Sequence, residues 1–111
     1  MTISAGDRMP EGTVVRMNAD GPKELDVAEL FEDKKIVLFS VPGAFTPTCS
    51  KKHLPGYIDN ANAIKQKGID TIACLAVNDI HVMHAWGKSV GADDSVIMLA
   101  DGNCAYTAAL G

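Results

Sequence analysis

Cys49 is the residue in this chain best placed to do chemistry. It closes the stretch Pro42-Gly43-Ala44-Phe45-Thr46-Pro47-Thr48-Cys49, directly after the apolar run Ile36-Val37-Leu38-Phe39. That run has the length and branching of a buried strand. Thr46 is a good helix N-cap, and Pro47 suits the first helical position, where its missing N–H would have had no partner. In that register Cys49 falls in the first turn of a helix. Free N–H groups and the positive end of the helix dipole favour an anion there, so the thiol should ionise more readily than in water. A strand, a Pro-Gly turn and a cysteine at a helix start make a platform for a thiolate nucleophile. A buried structural cysteine is the competing reading of the same pattern.

The spacing Pro42-x-x-x-Thr46-x-x-Cys49 resembles the peroxidatic-cysteine signature of the peroxiredoxins. The longer segment from Val41 to Gly56 is similar to the subfamily of animal peroxiredoxin 5 and plant type II peroxiredoxin. Gly6-Asp7 with Pro10, Leu30-Phe31, the segment Ala73 to Asp79, and Ala85-Trp86-Gly87 fit that subfamily in order and spacing. The resemblance therefore runs along nearly the whole chain. It implies a thioredoxin-like α/β fold and a thiol peroxidase acting on hydrogen peroxide and alkyl hydroperoxides.

The resemblance also assigns roles. Cys49 as thiolate attacks a peroxide oxygen, leaving a sulfenic acid and releasing an alkoxide or hydroxide. Thr46 directs its hydroxyl at the thiolate or the peroxide, accepting and donating in turn. Pro42, which donates no hydrogen bond, shields the cysteine from water. Backbone N–H groups near Cys49 stabilise developing negative charge, and Gly43 serves the turn. The implied reductant is external: glutaredoxin, thioredoxin or glutathione. The family's dimer contact uses the Phe45 loop and the helix carrying Trp86, so a homodimer is expected. Trp86 is equally readable as core. Family chains continue past the position of Gly111 into a hairpin and a final helix, and their catalytic arginine lies in that part. Arg8 and Arg16 do not match it, so the fold is expected to be C-terminally incomplete.

Other polar side chains carry weaker expectations. His53, four residues after Cys49, reads as a packing or hydrogen-bonding group, because two ligands do not make a zinc site. His81 and His84 read as surface groups. Cys74, inside Thr71-Ile-Ala-Cys-Leu-Ala-Val77, reads as a small apolar residue of a buried strand. Cys104 is expected in the first turn of a helix, partly accessible. No metal and no cofactor is expected.

Alternating strand and helix patterns must position these groups. Thr13–Met17 and Lys23–Val27 flank the turn-forming Asn18-Ala-Asp-Gly-Pro22 and read as a hairpin. Asp26 can cap a brief helix through Phe31. Ile36–Phe39 reads as the first central strand. The helix from Thr46 should kink or break at Pro55-Gly56 and end at Gly68. Thr71–Val77 is apolar on both faces, as parallel strands are. Asp79 caps a helix with Ile80, Met83, Gly87 and Val90 on one stripe. Val96–Leu99 is a third strand, and Asn103–Leu110 begins another helix. One domain over residues 1–111, built around a mostly parallel central sheet, follows.

Composition narrows the classes. Apolar residues make up 47% of 111, which supports one core but contains no bilayer-length run. Ten Lys and Arg against fourteen Asp and Glu leave −4, which disfavours nucleic acid as a partner. Three cysteines lack the density of a disulfide-stapled scaffold. With no secretory pattern at the N-terminus, a reducing compartment, most simply cytoplasm, is expected. A non-catalytic thioredoxin-like fragment that dimerises or binds a partner is the alternative function. A thiol-disulfide oxidoreductase is disfavoured, because Thr46-Pro-Thr-Cys49 lacks the second thiol of a C-x-x-C pair.

Overall fold

The computed structural model describes residues 3–18, 20–41, 43–47, 52, 54–92 and 95–111. Strands β1 (Thr13–Asn18) and β2 (Gly21–Asp26) form the hairpin, and α1 (Val27–Phe31) follows at once. Pairing runs to the end of the hairpin, Met17 with Pro22 and Asn18 with Gly21, so the turn is tighter than the five turn-forming residues suggest. Pro22 is tolerated within a strand because β2 is the sheet's edge. Asp26 ends β2 and caps α1, its carboxylate accepting from Ala28 N–H at 3.0 Å. Val27 is thus the first helical residue and not the last of the strand.

Then come β3 (Ile36–Ser40), α2 (Leu54–Asp59), α3 (Ala61–Gln66), β4 (Thr71–Ala76), α4 (Ile80–Val90), β5 (Ile97–Ala100) and α5 (Ala105–Leu110). The sheet order is β2-β1-β5-β4-β3. Strands β3, β4 and β5 are parallel, whereas β1 meets both β2 and β5 antiparallel. The parallel character belongs to that half, and the hairpin makes the sheet mixed. Among the described residues β3 has β4 on one side only, so it lies at an edge and not at the centre expected from its apolar run.

Side-chain alternation along β4 explains the layers. Ile72, Cys74 and Ala76 pack with Leu54, Ala61, Met83 and Trp86 from α2, α3 and α4. Ala73 and Leu75 face the other way, joining Val14, Val27 of α1 and Tyr106 of α5. Every one of these β4 residues is buried, which is why the strand reads as continuously apolar. Trp86 is fully buried in this core.

The kink expected at Pro55-Gly56 in the helix from Thr46 turns on residues 48–51 and 53, which lie outside the described residues. Pro55 and Gly56 themselves are within α2, and an interruption lies further on, at Asn60 between α2 and α3. Asn60 sends both its backbone N–H (3.2 Å) and its side-chain amide (2.8 Å) to the Gly56 carbonyl. Such local side-chain bonding competes with regular helix. Gly68 follows α3 with φ +96°, the left-handed geometry expected of it. Asp79 accepts from Val82 N–H at 2.9 Å and caps α4, whose Ile80, Met83 and Gly87 are buried and Val90 half-buried.

Candidate active site

The loop that leaves β3 runs along the carboxyl end of the parallel strands. Val41 N–H still bonds the Leu75 carbonyl at 3.2 Å, the last ladder-like contact before the chain departs the sheet. Phe39, the last buried residue of β3, stacks on Tyr57 of α2 with ring centroids 3.8 Å apart and planes 6° from parallel. That stack, in the 0.5–1.5 kcal/mol range typical of aromatic pairs, fixes the helix beyond the loop against the strand before it.

Between these anchors lie Gly43, Ala44, Phe45, Thr46 and Pro47. Ala44 N–H donates to the side-chain carbonyl of Asn78 at 3.0 Å, across 34 residues of sequence. Phe45 has φ +63°, a left-handed conformation rarely adopted by an aromatic residue, and its ring is 55% exposed. Thr46 is exposed, and its hydroxyl donates to the Gly43 carbonyl at 2.7 Å. Pro47 is already helical, so the helix starts where the Thr-Pro pair suggests.

Of the three expected site residues, Thr46 is described. Cys49 and Pro42 lie outside the described residues, as does His53. The Thr46 geometry refines its expected role. Its one hydrogen is committed to Gly43, so it offers acceptor lone pairs and not a donor. Peroxide carries an O–H to give it; a thiolate does not.

Asn78, which holds the Ala44 N–H of this loop, is a residue that sequence reasoning passed over. It belongs to the matched run Ala73–Asp79 but received no role. A polar, half-buried side chain placed just after the buried strand β4 was the available signal.

The other thiols are apart in environment. Cys74 is fully buried in β4, as its sequence context implies. Cys104 is half-buried with φ +65°, at the cap position just before α5 and not inside its first turn. The cap that holds α5 is Asp101. It is almost completely buried, and its carboxylate accepts from Tyr106 N–H (3.2 Å), Thr107 N–H and Thr107 hydroxyl (both 2.6 Å). His81 is exposed as expected, whereas His84 is half-buried beside Met17, Lys88 and Met98 in a groove along α4. Among the described residues no group of three or more His, Cys, Asp or Glu could hold a metal ion. No helix among them is long and apolar enough to cross a membrane.

The Redoxin family model matches residues 4–111. Peroxiredoxin-2B of Arabidopsis thaliana is 47% identical over 110 residues, covering 98% of this chain and 68% of that protein. The chain belongs to the redoxin family and, within it, to the peroxiredoxins. The chloroplastic Peroxiredoxin-2E-2 of Oryza sativa subsp. japonica is 53% identical over 113 residues. This peroxiredoxin chain spans about half the length of its two chloroplastic 2E relatives, 50% and 48%. The crystal structure of reduced Prx3 with hydrogen peroxide from Vibrio vulnificus superimposes with a TM-score of 0.96 at 49% identity. That likeness covers 99% of this chain and 69% of the other. The thioredoxin-like α/β fold implied by the motif is therefore shown.

Proposed function

We propose that this peroxiredoxin chain carries a thiol peroxidase site for hydrogen peroxide and small alkyl hydroperoxides. The observation that supports it most is a match to peroxiredoxins along the whole chain, with Pro42, Thr46 and Cys49 in the spacing of the peroxidatic motif. The Cys49 thiolate attacks the terminal oxygen of R–O–O–H. An S–O bond forms, the O–O bond breaks, and RO⁻ leaves and takes a proton from water. Cys49 is then a sulfenic acid, and sulfur has been oxidised by the two electrons the peroxide gained. A thiol R′–SH condenses with it, giving Cys49–S–S–R′ and water. A second thiolate attacks that disulfide and releases Cys49. Thr46 accepts the peroxide O–H and orients it. Pro42 keeps water from the sulfur.

Thioredoxin, glutaredoxin or glutathione fits as the external thiol, since neither Cys74, sealed in β4, nor Cys104 has an evident resolving role. A homodimer is part of the proposal. Phe45 and Val77, 55% and 40% exposed, stand at the same rim of the sheet, joined through the Ala44–Asn78 bond. A reducing compartment, cytoplasm in the simplest case, rests on cysteine usage alone.

Single Cys→Ser variants treated with peroxide and a dimedone-type trap test the assignment. The adduct should vanish in Cys49→Ser and persist in Cys74→Ser and Cys104→Ser. An adduct formed at the wild-type rate by Cys49→Ser would remove Cys49 from the reaction.

A further inference from the structure

We propose that Asn78 is a positioning residue of this site. Its side-chain carbonyl, acting through Ala44, holds the turn that aims the Thr46 hydroxyl. The inference rests on the peroxidase reading and adds to it a residue that touches neither peroxide nor sulfur.

The loop has a conformation that needs holding. Phe45 at φ +63° stores strain that persists only where the surroundings over-determine it. Its own ring contributes little to that, being mostly in solvent. Two hydrogen bonds bracket it instead: Ala44 N–H to Asn78 on one side, and Thr46 hydroxyl to Gly43 carbonyl on the other. The second is local and moves with the turn. Only the first, among the described residues, reaches from Gly43–Pro47 to another part of the fold through a side chain.

Asn78 sits two residues past the end of β4, and a Cβ at Gly102 would lie 3.7 Å from the Asn78 backbone carbonyl, so the loop after β5 runs in van der Waals range of it. That loop is pinned in turn by Asp101, whose N–H bonds the Ala76 carbonyl at 3.0 Å and whose carboxylate caps α5. Beyond the Val41 bond to Leu75, the segment after β4 thus reaches Gly43–Pro47 through one side-chain amide carbonyl. Removing it leaves the Ala44 N–H, on a half-buried residue, without its acceptor and lets Phe45 relax toward φ < 0. A rotation there is transmitted to the next residue, Thr46, and to the helix start that precedes Cys49. Displacement of a catalytic group by about 1 Å can cost roughly a hundredfold in rate.

The test compares Asn78→Ala with Asn78→Asp, which keeps an acceptor oxygen, in the protein at its natural length. Three readouts are taken: peroxide oxidation of Cys49 by stopped flow, alkylation of Cys49 by iodoacetamide, and hydrogen exchange at the Ala44 amide. Both thiol reactions are run above the thiol pKa of each variant. In Asn78→Ala, peroxide oxidation should slow about ten- to a hundredfold, alkylation should change far less, and Ala44 should lose protection. Asn78→Asp should restore Ala44 protection and most of the peroxide rate. Wild-type peroxide rates in Asn78→Ala, or equal losses in both thiol reactions, would overturn the positioning role. A wild-type protein inert to peroxide would overturn the peroxidase reading instead, and Ala44 exchange would still decide whether Asn78 holds the turn.

Discussion

A hydroxyl has one hydrogen and two lone pairs, and at Thr46 the hydrogen is spent on Gly43. Thr46→Val should therefore slow peroxide reduction by about 10² to 10³, while Thr46→Ser, which keeps the oxygen, should stay near wild type. Stopped-flow rates at several peroxide concentrations check both. If Thr46 also caps its helix, the valine variant loses roughly 1 kcal/mol of stability in a denaturant titration. At this scale the sequence offers a reading where chemistry imposes a residue type at a spacing, as in Pro42-x-x-x-Thr46-x-x-Cys49, of which Thr46 alone lies among the described residues. The direction of the Thr46 hydrogen was not legible, because it depends on where the Gly43 carbonyl turns. Asn78 escaped for a similar reason: its partner is a backbone N–H 34 residues away, and a backbone group leaves no mark in the sequence.

Elements were readable wherever a local rule decides them. Asp26 before α1, Asp79 before α4 and Gly68 after α3 are found as caps because each acts within three residues of itself. Asp79→Ala should cost about 1 kcal/mol in denaturant unfolding by freeing the Val82 N–H. Boundaries failed where a non-local or competing bond decides. Asp101 caps α5 from five and six residues away, leaving Cys104 outside the helix, and Asn60 separates α2 from α3 where no break was expected. Element α5 also clamps the N-terminal segment, since the Tyr106 hydroxyl donates to the Pro10 carbonyl at 3.0 Å. Burial pushes the Tyr106 pKa above its ordinary value of about 10. A raised acid keeps its full stabilising contribution below the unfolded-state pKa and loses it as pH rises through the folded-state pKa. Melting temperature should hence fall above about pH 10. Tyr106→Phe should show a flatter profile there, with a loss of about 1 kcal/mol at neutral pH from the missing hydrogen bond.

On the scale of the molecule, alternation along β4 divides the apolar residues between two helical layers, and this much follows from period-two reasoning. Strand order does not. An apolar run reports burial of side chains and says nothing of which backbone edges are paired, so β3 read as central although its described neighbour is β4 alone. Surface apolar groups are informative because the core has absorbed the rest: Trp86 is inside, and Phe45, Val77 and Met9 are the large hydrophobic side chains left exposed among the described residues. Two of those three, Phe45 and Val77, flank the Ala44–Asn78 bond, and a two-fold dimer through that rim would bury each of them twice. Removing an aromatic contact forfeits about 1.5–3 kcal/mol per copy. Phe45→Glu, which also introduces like charges facing each other, should therefore weaken a dimer by roughly a thousandfold or more. Sedimentation velocity over a concentration series reads this directly. The wild type should shift between monomer and dimer with dilution, and Phe45→Glu should remain monomeric at concentrations where the wild type is paired. A Phe45→Glu protein that dimerises with undiminished affinity would place the interface elsewhere on the molecule.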